Sequence, residues 1–137
     1  MTLVRDAMLS DPRSLDAGAS AQEAGELLAK PDVRAVPVVE GEQLVGLVTA
    51  EMLVEHVVAA GRDPRATTLR EIVTPAELTI DADMPVEEAF RVMEENDCER
   101  LPVTDQGRLV GMLSRAVLQR RLAEDEPPPD AAGESYS

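Results

Sequence analysis

The stretch Leu44-Val45-Gly46-Leu47-Val48-Thr49 returns 65 positions later as Leu109-Val110-Gly111-Met112-Leu113-Ser114. At the same offset, and without a gap, Arg5 falls on Arg70, Asp16 on Asp81 and Ala17 on Ala82. Glu23-Ala24 falls on Glu88-Ala89, Asp32 on Asp97, Pro37-Val38 on Pro102-Val103 and Leu53 on Leu118. Other pairs keep their size, such as Leu28 with Met93 and Val36 with Leu101. The chain is an internal duplication. A repeat of this kind marks a supersecondary unit that cannot bury its own apolar face, and two copies point to a pseudo-twofold pair rather than a solenoid.

Working outward, each copy reads as β-α-β-β-α. In the first, Ser20 opens a helix and Glu23 completes a capping box. Ala21, Ala24, Leu27 and Leu28 form its apolar stripe and Pro31 ends it. Ala35–Glu40 is a Val-rich strand, Gly41-Glu42-Gln43 the turn, and the quoted stretch the return strand. Thr49 then caps a second helix over about residues 50–60. The second copy repeats this with a strand at Leu78–Ile80, a helix from about Pro85 to Glu95, two strands, and a helix from Arg115 to about Ala123. The expected layout is repeat 1 over 1–60, a linker at 61–68, repeat 2 over 69–123 and an acidic, Pro-rich, disordered tail over 124–137. A short helix Leu69-Arg70-Glu71-Ile72-Val73 opens the second copy, and Val4–Met8 is its partner before the first.

The 137 residues are 44% apolar, enough for a core, yet include one Phe, one Tyr and no Trp. The net charge of −14 argues against nucleic-acid backbones and anionic membrane surfaces, which need a basic face. One cysteine cannot make an intrachain disulfide, and Met1–Leu9 is too short and too charged for a signal peptide. A cytoplasmic protein is expected, and abundant Arg and Ala beside a single Lys suit a GC-rich bacterial source.

The order Arg5-Asp6-Ala7-Met8, a helix with Glu-Ala, Val36-Pro37-Val38-Val39 and Leu44–Thr49, repeated at a fixed offset, resembles the CBS domain, named after cystathionine β-synthase. The likeness covers about Leu3 to Ala123. It implies a tandem pair, a Bateman module: an α/β fold of two β-α-β-β-α repeats related by a pseudo-twofold axis, with small sheets packed face to face and covered by helices. It also implies a regulatory role. Such modules bind AMP, ADP, ATP or S-adenosylmethionine in clefts between the repeats, need no cofactor for chemistry, and assemble as homodimers. With no catalytic domain on the chain, an effect would fall on a partner protein in trans.

The resemblance also selects residues. Thr49 and Ser114 stand where a strand ends and a helix begins, where free N–H groups favour an anion, and the family's hydroxyl there contacts ligand phosphate. An ordinary N-cap is the competing explanation for each. Arg115 could meet a phosphate. Ser14 and Thr79 precede the first strands, where the family has a ligand-side Thr. Val36 and Leu101 could border a base, and Arg34 and Arg100 lie near the same mouth. The family's ribose-binding Asp, three residues after the hydroxyl, is replaced by Met52 and Val117, neither of which accepts a hydrogen bond. Because Arg115 follows Ser114, the cleft with these two residues is the favoured one, and the missing Asp makes a ligand-free dimerisation or docking module the alternative. No metal site is expected from one His and one Cys, and no catalytic group is read. The broad apolar surface of the helix after Thr49 (Met52, Leu53, Val54, Val57, Val58, Ala59) points to an interface.

Overall fold

The stripe positions of the two copies fold alike. The computed structural model describes residues 1–10, 12–76 and 78–125. Helix α1 (Ala21–Leu28) buries Ala21, Ala24 and Leu28, and α4 (Val86–Glu95) buries their counterparts Val86, Ala89 and Met93. That is the i, i+3, i+7 spacing of a helix with one face on a core. The Ser20–Glu23 capping box is present: Glu23 N–H donates to Ser20 Oγ at 3.2 Å, and Ser20 N–H donates to the Glu23 carboxylate at 3.1 Å. Helix α4 starts one residue later than expected, with Pro85 in the cap position. Helix α2 (Ala50–Leu53) runs into a π-helical turn over Val54–Val58, α3 spans Leu69–Ile72, and α5 spans Arg115–Asp125. The remainder of the Pro-rich tail lies outside the described residues.

The strands are β1 (Leu9–Ser10), β2 (Leu15–Asp16), β3 (Val36–Glu40), β4 (Gln43–Val48), β5 (Ile80–Asp81), β6 (Arg100–Asp105) and β7 (Arg108–Ser114). Of the expected strand at Leu78–Ile80 only Ile80 is in β5, which runs on to Asp81: Ile80 pairs with Val103 and Asp81 with Thr104 of β6. In the two repeats β2 is parallel to β3 as β5 is to β6, and β3 with β4, like β6 with β7, forms a hairpin. The halves meet at the hairpin tips, where Gln43 pairs with Arg108. Leu44 N–H donates to Gly107 C=O (3.1 Å) while Leu109 N–H donates to Glu42 C=O (3.0 Å). These donors are 65 residues apart and so are the acceptors, so the bonds are reciprocal, as a pseudo-twofold axis requires.

There are two cores, and each is completed by the other repeat. Leu69 and Ile72 are buried among Ala17, Leu28, Val38, Val48 and Val57 of the first repeat. Val4 and Ala7 are buried among Ile80, Met93, Val103, Leu113 and Leu118 of the second. The crossing is pinned by matched bonds: Val4 N–H to Met84 C=O (2.8 Å) and Arg5 N–H to Ala82 C=O (2.9 Å), against Leu69 N–H to Ala19 C=O and Arg70 N–H to Ala17 C=O (both 2.9 Å). The shared arginines follow the same rule. Arg5 pairs with Asp83 (2.6 Å) and approaches Asp105 (3.9 Å); Arg70 pairs with Glu40 (3.0 Å).

This crossing explains the glycine in the repeated stretch. After the Val4–Asp6 turn the chain lies across β7, pairing Leu9 with Met112 and Ser10 with Gly111. After α3, Thr74 pairs with Leu47 of β4. A Cβ on Gly46 would lie 2.1 Å from Thr74 O, and one on Gly111 would lie 2.4 Å from Met8 Sδ and 2.9 Å from Leu9 O. Each glycine marks where the other repeat's leading segment passes over the strand. Residues 61–68 are stitched onto α1: Ala21 N–H donates to Thr67 C=O (2.8 Å), and Gln22 N–H donates to Pro64 C=O (3.1 Å). Thr67 is buried, its hydroxyl donating to Asp63 C=O at 2.8 Å.

Candidate functional site: the cleft between the repeats

A cleft of about 1030 Å³ opens between the repeats. The crossing segment supplies Leu9, Pro12 and Arg13; the first repeat supplies Asp32, Arg34, Val36, Pro37 and Leu47; the second supplies Glu99, Arg100, Met112, Ser114 and Ala116. Leu47 with Met112 and Arg34 with Glu99 are pairs at the 65-residue offset, so the cleft straddles the pseudo-twofold axis.

Three of the residues expected at a site from sequence meet here with Arg34: Val36, Arg100 and Ser114. Arg100 and Ser114 are cross-strand partners on β6 and β7, which puts a guanidinium stem beside the hydroxyl. Ser114 Oγ accepts the N–H of Val117 at 3.4 Å, and Thr49 Oγ1 accepts that of Met52 at 3.2 Å. Both hydroxyls therefore cap the helix that follows, each contributing roughly 1 kcal/mol in that role. Thr49, Ser14, Thr79, Leu101 and Arg115 do not line this cleft. Thr79 is exposed, Ser14 half-buried, and Leu101 packed in the second core. Arg115 is held by Glu99 and by Asp97, the latter at 3.6 Å, so its charge is already matched by carboxylates.

The cleft arginines differ in this respect. Arg5, Arg62, Arg70, Arg108 and Arg115 all enter ion pairs, whereas Arg13, Arg34 and Arg100 enter none among the described residues. Arg65, Arg91, Arg120 and Arg121 also enter none among them but lie outside the cleft, so what distinguishes the three is that they are unpaired and line one cavity. Of the two carboxylates on the cleft wall, Glu99 is engaged by Arg115 and Asp32 has no ion pair among the described residues. In a protein of net charge −14, three guanidinium groups without ion pairs line one cleft against the single free carboxylate of Asp32, which leaves its lining locally positive. Sequence reasoning passed over Arg13. Its place became visible only with the β1–β7 crossing, which carries it from the first repeat to the second repeat's strand.

Met52 is half-buried against the first core and Val117 is half-buried, so neither side chain offers an acceptor to a ligand hydroxyl. His56 is exposed on the π-helical turn. Cys98 packs at the edge of the second core, its thiol 3.5 Å from Asn96 C=O. Among the described residues no group of three His, Cys, Asp or Glu side chains is placed to hold a metal ion. No helix among them is long and apolar enough to cross a membrane.

A second, smaller groove of about 420 Å³ lies between α1 and α2, lined by Ala21, Gly25, Ala29, Leu53, Val57 and Val58 with Gln22, Glu26, Arg62 and Pro64. The π turn sends Val57 into the core and leaves Val54 57% and Val58 71% exposed.

Known proteins share both sequence and architecture. The CBS domain family model matches twice, at residues 4–59 and 69–124. Hypoxic response protein 1 of Mycobacterium tuberculosis is 30% identical over 125 residues, spanning 90% of this chain and 87% of its own length. A crystal structure of Hypoxic Response Protein I with two coordinated zinc ions superposes with a TM-score of 0.76 at 30% identity, over 88% of this chain and 99% of that one. CBSX2 of Arabidopsis thaliana, solved in complex with AMP, gives 0.73 at 25% identity, over 90% and 98%. The CBS domain pair of MJ0100, solved with 5′-methylthioadenosine and S-adenosylmethionine, gives 0.70 at 26% identity, over 92% and 99%. Matched twice along its length and folded as two crossed β-α-β-β-α repeats, the chain belongs to the CBS domain family as a tandem CBS pair.

Proposed function

We propose that this CBS pair is a non-enzymatic regulatory module that binds an adenosine-type nucleotide in the cleft between its repeats and acts on a partner protein in trans. The observation that carries the reading is the set of unmatched arginines, Arg13, Arg34 and Arg100, on the wall of a cleft roomy enough for a nucleotide. AMP in CBSX2, and 5′-methylthioadenosine with S-adenosylmethionine in the MJ0100 pair, support an adenosine ligand.

The mechanism is a population shift. A ligand touching both repeats favours one relative orientation, and the change available to a partner is limited by the ligand's differential affinity for the two orientations. Arg13 lies three residues past the crossing strand β1, so a ligand held there bears directly on the segment that closes the second core. Calorimetric titration with AMP, ADP, ATP and S-adenosylmethionine tests the reading. Micromolar binding weakened by Ser114→Ala is expected; no heat from any of the four would overturn it.

The ligand-free docking module keeps one observation in its favour, the loss of the ribose-binding carboxylate at both Met52 and Val117. Homodimer formation through the first repeat's helices fits either reading and is supported by the exposed Val54 and Val58, the latter lining the apolar groove. Sedimentation of Val58→Glu measures it: a shift to monomer is expected, and an unchanged sedimentation coefficient would contradict it.

A further inference from the structure

The two sides of the cleft share a backbone plan and differ in charge. Moved by 65 positions, Arg100 meets Ala35, Arg13 meets Leu78 and Ala116 meets Glu51. The Ser114 side thus gathers Arg13 and Arg100 beside Ala116 and a helix start whose Arg115 is already matched by Glu99 and Asp97. The equivalent positions near Thr49 hold the methyl group of Ala35, which lines the cleft, and the apolar Leu78 and the carboxylate Glu51, which do not. Arg34, whose own counterpart is Glu99, adds a third positive charge to the cleft lining, against which stand Glu99, engaged by Arg115, and the free Asp32.

Guanidinium groups stay charged throughout the physiological range and pair with phosphate oxygens through fixed, two-pronged donors. Away from the cleft, a chain of net charge −14 repels polyanions, so capture depends on these three groups. Sugar recognition has no comparable support, because the positions three residues beyond the two caps are the hydrocarbon side chains of Val117 and the thioether of Met52.

We infer that the cleft takes a single polyphosphate-bearing ligand per chain, on the Ser114 side, gripped by Arg13, Arg34 and Arg100 and read by its phosphate charge with indifference to its ribose diol. This deepens the nucleotide reading above and rests on it for the ligand's base. A triphosphate is favoured over a monophosphate, and S-adenosylmethionine, which brings positive charge, is disfavoured. Binding weakens with added salt, because the attraction is between charges at a solvent-facing cleft.

Calorimetry on the full chain tests this with ATP, 2′-deoxy-ATP, 3′-deoxy-ATP, AMP and inorganic triphosphate. The proteins are the natural chain, Arg100→Gln, and Arg91→Gln as a charge-matched control on α4, outside the cleft. The expected result is one ATP per chain, both deoxy forms within about threefold of ATP, and AMP at least about tenfold weaker. Inorganic triphosphate binds, Arg100→Gln weakens ATP by about tenfold or more, and Arg91→Gln leaves it unchanged. Two nucleotides per chain, a tenfold preference for the intact diol, or ATP binding insensitive to Arg100→Gln would overturn the inference while leaving a nucleotide sensor standing. Arginine-dependent binding of inorganic triphosphate with no gain from adenosine would keep the inference and overturn the adenosine reading. No binding of nucleotide or triphosphate would overturn both.

Discussion

The crossing segments at Val4–Leu9 and Leu69–Thr74 close equivalent cores with unequal means. The second is a turn of α-helix whose Glu71 carboxylate accepts from both the N–H and the hydroxyl of Thr68 (3.0 Å each) and pairs with Arg62. It inserts Leu69 and Ile72. The first is a 3-10 turn preceded by Leu3, with one long contact from Leu3 N–H to Asp6 at 3.4 Å, and it inserts the smaller Val4 and Ala7. Equal topology therefore conceals a difference in anchoring. The weaker cap belongs to the segment that runs on to Arg13 at the cleft, a segment held instead by Arg5 on Asp83 and by the pairing of β1 with β7.

The largest expected effect is at the better anchor. Leu69→Ala removes a fully buried side chain from a core built largely of Val and Ala, and should cost about 2–5 kcal/mol by urea denaturation. Val4→Ala should cost less, because fewer methyl groups leave the second core. Equal losses would show that the two segments carry equal weight.

The glycines come next. Gly46→Ala drives a methyl into the backbone oxygen of Thr74, whereas at Gly111 the nearest atom is the flexible Met8 thioether, with Leu9 O behind it. Both should destabilise by about 1–3 kcal/mol, Gly46→Ala by more, in the same unfolding experiment. A neutral Gly46→Ala would contradict the close crossing.

Smaller still is the acid response of the Thr68 cap. The N–H and hydroxyl of Thr68, with help from Arg62, hold the Glu71 carboxyl below its ordinary value. A carboxylate lowered in this way contributes stability that is complete above its unfolded pKa and is lost as pH falls through the folded one. Glu71→Gln should therefore remove part of the chain's acid sensitivity below the usual carboxylate range and leave its denaturation midpoint there less dependent on pH. An identical pH profile for the variant would exclude a role for this cap.

Much of the fold is legible in the sequence because it is local. The Ser20–Glu23 box, the Val-rich hairpin strands and the stripes ending in Leu28 and Met93 depend on neighbours within a few residues, and the 65-residue offset shows that each pattern occurs twice. The crossing is not local. Periodicity shows that Val4 and Leu69 want burial but not in which core, and the one trace it leaves is a glycine in the middle of an apolar strand, at Gly46 and Gly111. The site was legible only in part for the same reason. Ser114, Arg100 and Val36 sit on the strands and could be placed from the repeat. Arg13 reaches the cleft only through the crossing, and the pairing of Arg115 with Glu99 and Asp97 depends on where a loop turns.

The measurement that bears most directly on the difference between the two halves is a crystal structure of the protein grown with ATP. One nucleotide per chain is expected, with its phosphates against Arg13, Arg34 and Arg100 beside Ser114 and the Thr49 side empty. Phosphates seated at Thr49, or a nucleotide on each side of the axis, would contradict it.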